Sequence, residues 1–92
     1  MSSGVKEAYI EAQADKRAKS AGFIVRKLAW TGRRGAPDKF YSRDDTGPFL
    51  VEYKAPGETL RPDQVREIAK LRRAGTVVHV IDSIEAAFDL FR

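Results

Sequence analysis

Cysteine is absent from the sequence, and histidine occurs once, at position 79. Those two scarcities exclude disulfide staples, thiolate zinc sites, cysteine nucleophiles and His-rich metal cages. No apolar run is long enough to span a bilayer. The opening residues, Met1-Ser2-Ser3-Gly4-Val5-Lys6-Glu7, lack the apolar stretch of a secretory signal, so a cytoplasmic protein with no membrane partner is the expectation. Low-complexity tracts and internal repeats are missing too.

What remains is a soluble globular composition, 42% hydrophobic and 33% charged in 92 residues. A core of ordinary size uses most of that length, so residues 1–92 are expected to form one domain with no room for a separate binding module. Seventeen Lys and Arg against 13 Asp and Glu leave a net charge of +4. An excess of that sign favours a polyanionic partner, nucleic acid before others, although a solvated basic surface would carry the same charge.

Residues 5–21 contain no glycine or proline beyond the opening and are rich in alanine, which predicts a helix closed by Gly22 as a left-handed cap. Ile10, Ala14, Ala18 and Ala21 share one face of it. Residues 23–30 carry Phe, Ile, Val, Leu and Trp and predict a strand; residues 31–37, with two glycines and a proline, predict a loop. Residues 38–43 and 49–55 read as the two arms of an antiparallel hairpin around the turn formers at 44–48. A second helix is predicted from Pro62 to Ala74, before Gly75, with Val65, Ile68, Ala69 and Leu71 or Arg72 on its buried side. Residues 76–81 suggest a strand buried on both faces, and residues 83–91 a short amphipathic helix capped by Asp82 or Ser83. The order is αβββαβα. Strand, helix and strand over 49–81 make a βαβ unit, whose two strands should be parallel with a right-handed crossover.

The chemistry-bearing residues sit on the hairpin. Side chains two apart on a strand point the same way, so Glu52 and Lys54 share a face while Tyr53 points to the other. Asp38, at the start of the first arm, lies opposite the end of the second, where pairing brings it toward Glu52 and Lys54. Two carboxylates and an ammonium converging in this way suit metal-assisted hydrolysis of a phosphodiester: hard oxygen ligands hold Mg²⁺, and a lysine orients or helps deprotonate a water and offsets developing charge. A surface ion pair on one strand is the plain alternative for an isolated Glu-x-Lys.

Pro37-Asp38 followed by Val51-Glu52-Tyr53-Lys54 is similar to the PD-(D/E)xK signature of restriction-endonuclease-like nucleases. With Gly35-Ala36 before it, the segment from Ala55 to Gln64 after it, and Arg72-Arg73-Ala74-Gly75, the sequence resembles the virus-type replication-repair nuclease domain, VRR-NUC, over nearly its whole length. The resemblance implies a restriction-endonuclease-like α/β fold with a central mixed sheet flanked by helices. It also implies Asp38 and Glu52 as ligands of Mg²⁺ or Mn²⁺, the backbone carbonyl of Tyr53 as another, Lys54 as the catalytic lysine, Gln64 as a helper, and an acidic residue on the first helix.

Glu7 and Glu11 compete for that last place. At about 100° per residue, the apolar face of the helix centres about 25° from Glu7 and about 65° from Glu11, which favours Glu7; its position near the helix N-terminus also suits the macrodipole without any site role. Gln64 stands third in its helix if Arg61 is the cap, where glutamine often closes a capping box, but Arg61 offers no acceptor in return. Arg33 and Arg34 flank the Asp38 turn and could grip DNA phosphate. His79 reads as a packing or edge residue, and Trp30 as core rather than a base-stacking platform. Arg66, Lys70, Arg72 and Arg73 give the second helix a basic side.

The expected function is a metal-dependent endonuclease acting on DNA, selective for branched substrates such as four-way (Holliday) junctions and working as a homodimer, with Ile84, Phe88, Leu90 and Phe91 as interface candidates. A DNA-binding module of the same fold without catalysis and an RNA-processing nuclease are the alternatives. The first has no use for two carboxylates brought to a phosphate that they repel; nothing in the sequence reads a 2′-hydroxyl.

Overall fold

A computed structural model describes residues 5–92. The elements run α1 (Glu7–Ser20), β1 (Ile24–Lys27), β2 (Lys39–Arg43), β3 (Thr46–Tyr53), α2 (Pro62–Arg73), β4 (Val78–Ile81) and α3 (Ile84–Leu90), the order expected from the sequence. The strands form one sheet in the order β1-β2-β3-β4. The first three pair as an antiparallel meander, and β3 pairs with β4 in parallel, so the sheet is mixed.

Alternation along the strands divides the core between two layers. Tyr41, Phe49, Val51, Tyr53 and Ile81 point to one face, where Ile10, Ala14 and Ala18 of α1, Ala87 of α3 and Phe91 just after it cover them. On the other face Leu50 and Val78 pack on Ile68 of α2, with Leu28, Trp30, Phe40, Leu60 and Leu71 around them. Gly22 ends α1 with φ +89°, a backbone conformation costly for any residue with a Cβ. Ser83 caps α3, its Oγ accepting from the Ala86 N–H at 3.0 Å. No helix of the described residues is long and apolar enough to cross a membrane.

Several expectations are corrected. β1 stops at Lys27 rather than at residue 30: Leu28 still donates its N–H to the Asp38 carbonyl at 2.7 Å, but Trp30 turns away and its indole N–H donates to the Pro37 carbonyl at 2.8 Å. Only Asp44 and Asp45 make the hairpin turn, because Arg43 already pairs with Thr46. Gly47 and Pro48 therefore belong to β3; β4 pairs with β3 only from Leu50 onward, so the missing N–H of Pro48 breaks no ladder on that side. β4 is an edge strand, starting at Val78 with Val80 37% exposed, and is not buried on both faces. On α2 the expected Ile68, Ala69 and Leu71 do turn inward, but Val65 is 51% exposed and its place on the buried side goes to Gln64. The last helix is mostly committed to the core as well. Phe91 is fully buried, Ile84 and Leu90 pack against the same cluster, and Phe88, at 38% exposure, has the Arg17 guanidinium 5.2 Å from its ring centre.

Candidate active site

Three elements end at one place: the N-terminal turns of α1, the C-terminal end of β3, and the start of α2. Around them lies a cleft of about 230 Å³ lined by Glu7 and Glu11 of α1, Lys27 of β1, Gly35, Ala36 and Asp38 of the connecting loop, Glu52 and Tyr53 of β3, and Arg61 and Gln64 at α2. Of the residues expected to form the site, Glu7, Asp38, Glu52, Tyr53 and Gln64 meet here. Lys54 lies one step along. Its N–H extends the parallel ladder to the Ile81 carbonyl at 2.9 Å, it is only 8% exposed, and it lines an open groove of about 620 Å³ that shares Glu7 and Arg61 with the cleft. Arg33 and Arg34 are exposed on the loop and line neither.

Gln64 is both a cap and a cleft residue. The Arg61 N–H donates to Gln64 Oε1 at 3.0 Å; with no acceptor on Arg61, this is the half of the capping box that can form. Using the amide oxygen there fixes the amide so that its Nε2 donates to Glu52 Oε2 at 3.1 Å. The loop reaches this point through Gly35, whose φ is +81° and where a Cβ would stand 2.7 Å from both the carbonyl carbon and oxygen of Asp63. Glycine alone lets the loop segment leading to Asp38 lie against the first turn of α2.

Burial pushes the Glu52 carboxyl up from the usual 4.5 to about 7, and the negative charges of Asp38 and Glu7 add to the rise while Lys54 and Arg61 oppose it. Glu7 makes no ion pair among the described residues. Glu11, by contrast, is shared by Lys39 at 3.6 Å and Lys27 at 3.8 Å. The two candidates for the helix carboxylate thus both face the cleft and differ in how far they are already neutralised.

Beneath the cleft runs a polar network that the sequence did not announce. Lys39 Nζ is 2.8 Å from Asp15 Oδ2, Tyr41 Oη donates to Asp15 Oδ1 at 2.6 Å, and the Tyr41 and Tyr53 hydroxyls share a hydrogen bond of 2.7 Å. Burial holds both phenols well above their ordinary range, so they stay neutral. Tyr53, which also lines the cleft, is therefore fixed from below by its side chain. The signal was there in part: Glu7, Glu11 and Asp15 recur every four residues along α1, and Lys39 and Tyr41 share a face of β2. Which of them meet depends on register.

Among the described residues no three Asp, Glu, His or Cys side chains are grouped closely enough to be a metal cage as they stand. Asp38 leans to Lys27, 3.4 Å away. The donor set nevertheless suits a hard divalent cation: two carboxylates at one rim, a third nearby, and an adjacent backbone carbonyl are oxygen donors. A half-buried carboxylate held up to about 7 by desolvation, with neighbouring negative charge adding to the rise, is a group whose ionised form a cation would favour.

Fold and cleft together define an α/β domain with an acid-rich site at the ends of its central strands. The VRR-NUC domain model matches residues 3–85, and the chain belongs to that family of nuclease domains. It is 38% identical over 79 residues, covering 86% of this chain and 85% of the relative, to "Putative nuclease p44" of Acyrthosiphon pisum secondary endosymbiont phage 1. A solved structure titled "VRR_NUC domain" superposes with a TM-score of 0.83 at 32% identity, covering 95% of each chain.

Proposed function

We propose that this nuclease is a metal-dependent endonuclease that hydrolyses DNA phosphodiesters by PD-(D/E)xK chemistry. The observation that supports it best is Glu52, half-buried at the end of a central strand and raised to about 7 by that burial, with the charges of Asp38 and Glu7 adding to it. Asp38, Glu52 and the Tyr53 carbonyl would hold Mg²⁺ or Mn²⁺, with Glu7 contributing directly or through water. The bound cation would neutralise the phosphate and acidify a water. Gln64 keeps the Glu52 carboxylate turned into the cleft. Lys54, on the same strand and one side chain further along its face, orients the attacking water and offsets charge on the phosphate. Arg61 at the rim, with Arg33 and Arg34 on the loop, supplies positive charge for the DNA backbone.

Branched DNA is the substrate we favour, with four-way junctions first; two symmetric cuts about a branch would take two sites and hence a homodimer. With most of α3 in the core, the exposed Val77 and Val80 at the open β4 edge are better interface candidates. The test is a panel of labelled linear, flap, Y-shaped and four-way DNAs with Mg²⁺, Mn²⁺ or EDTA, run on wild type and Asp38→Ala. Cutting by wild type that EDTA and Asp38→Ala both abolish is expected; Asp38→Ala at wild-type rate refutes the assignment. Equal cutting of linear and four-way DNA refutes the substrate preference alone, and a light-scattering mass near 10.3 kDa refutes the dimer.

A further inference from the structure

Two lysines on neighbouring strands stand against the acidic wall of the cleft, and they are built differently. Lys27 of β1 and Lys39 of β2 are register partners. Lys39 has a side chain only 6% exposed and rests on Asp15 at 2.8 Å, a fixed structural cation. The Lys27 side chain is 66% exposed; its Nζ bridges Asp38 Oδ2 at 3.4 Å and Glu11 Oε2 at 3.8 Å. Its stem cannot stray, because the next residue, Leu28, donates its N–H to the Asp38 carbonyl at 2.7 Å. The head can: an ammonium on a four-carbon stem in water holds each partner only weakly.

The shared carboxylate makes the arrangement selective. Glu11 also faces Lys39 at 3.6 Å, so it stays paired when Lys27 swings out. No other cation pairs with Asp38 among the described residues, and Asp38 is what the departure exposes. We infer that Lys27 is a tethered counter-ion that occupies Asp38 in the metal-free protein and must be displaced before a divalent cation can take that carboxylate. Lys27 thereby raises the cation concentration at which the cleft fills. This rests on the metal reading given above for the same cleft.

The test is Mn²⁺ binding without DNA, by titration calorimetry and by loss of the free-ion EPR signal, on wild type, Lys27→Met, Lys27→Arg and Lys19→Met. Each variant's fold is checked by circular dichroism. Lys19 is exposed on α1 and lines no part of the cleft, so Lys19→Met controls for loss of one positive charge anywhere. Removing a competitor worth a surface ion pair should tighten Mn²⁺ binding of Lys27→Met about two- to fivefold. Lys27→Arg and Lys19→Met should bind as wild type does. In an Asp38→Asn background, Lys27→Met should give no gain, since the carboxylate it would free is gone. Lys27→Met binding no tighter than wild type, or a gain equalled by Lys19→Met, overturns the inference and leaves the metal site standing. Wild type that binds no Mn²⁺ at millimolar concentration overturns both.

Discussion

Replacing Glu52 by Gln should make this protein more stable while removing its activity. The carboxyl moves from 4.5 to about 7 on folding, chiefly through burial. Below 4.5 it is protonated in both states and costs nothing. Between 4.5 and 7 the unfolded chain releases the proton that the folded one retains, so stability falls as pH rises; above 7 the whole cost is present. That interval corresponds to roughly 3.4 kcal/mol at about 1.36 kcal/mol per pH unit. Solvent reaching the cleft screens part of it, leaving about 2 kcal/mol. Glutamine keeps the shape and still offers an oxygen to the Gln64 amide, so Glu52→Gln should regain about 2 kcal/mol at pH 8, or about 10 °C in melting temperature for a domain of this size. The assay is urea unfolding in EDTA at several values between pH 4.5 and 8.5. The two proteins should converge at the acid end, separate between pH 4.5 and about 7, and keep a constant gap above that. Mn²⁺ at pH 8 should then stabilise wild type more than the variant. A variant no more stable than wild type at pH 8, or a gap that does not change with pH, would refute the reasoning.

Lys54→Ala should retain Mn²⁺ affinity yet cleave about 10²-fold more slowly or worse; single-turnover rates within a few-fold of wild type would reduce Lys54 to a strand charge. Lys39→Met leaves Asp15 as an uncompensated carboxylate beside the Tyr41 hydroxyl and should cost close to 3 kcal/mol. Adding Asp15→Leu should restore much of that, and a double variant no better than the single one in denaturant titrations would disprove the ion-pair account. Gly35→Ala should destabilise by about 3 kcal/mol, because its Cβ would meet Asp63 backbone at 2.7 Å in a left-handed conformation; an unchanged melting temperature would mean the loop does not sit against α2.

The order of elements and the convergence of Glu7, Asp38, Glu52 and Gln64 were legible because they rest on local signals: alanine-rich periodicity before Gly22, alternation along the strand through Glu52, a proline at the first position of α2. What escaped depends on partners distant in sequence. Gln64 takes a buried place on α2 that apolar spacing gave to Val65, since the Glu52 carboxylate across the layer gives its amide a partner. The hairpin turn is tighter than expected because turn-forming Gly47 and Pro48 lie where β3 overhangs β4. The Lys39, Asp15, Tyr41 and Tyr53 network needs the β2 register and the height of α1 over the sheet, neither of which is written in any short stretch. The last helix offered an amphipathic face that suited an interface and the core equally; packing gave most of it to the core.

The contact at Gly35 divides the 31–37 loop into two parts with different freedoms. At Gly32 a Cβ would meet nothing within 4 Å, whereas at Gly35 it would collide with the α2 backbone. Changes of length or charge around Arg33 and Arg34 can therefore be absorbed in solvent without being transmitted past Gly35 to Asp38. On the proposed contact of Arg33 and Arg34 with DNA, the tip of the loop is where grafted or randomised segments should be inserted to alter the grip on nucleic acid while the cleft behind it stays in register.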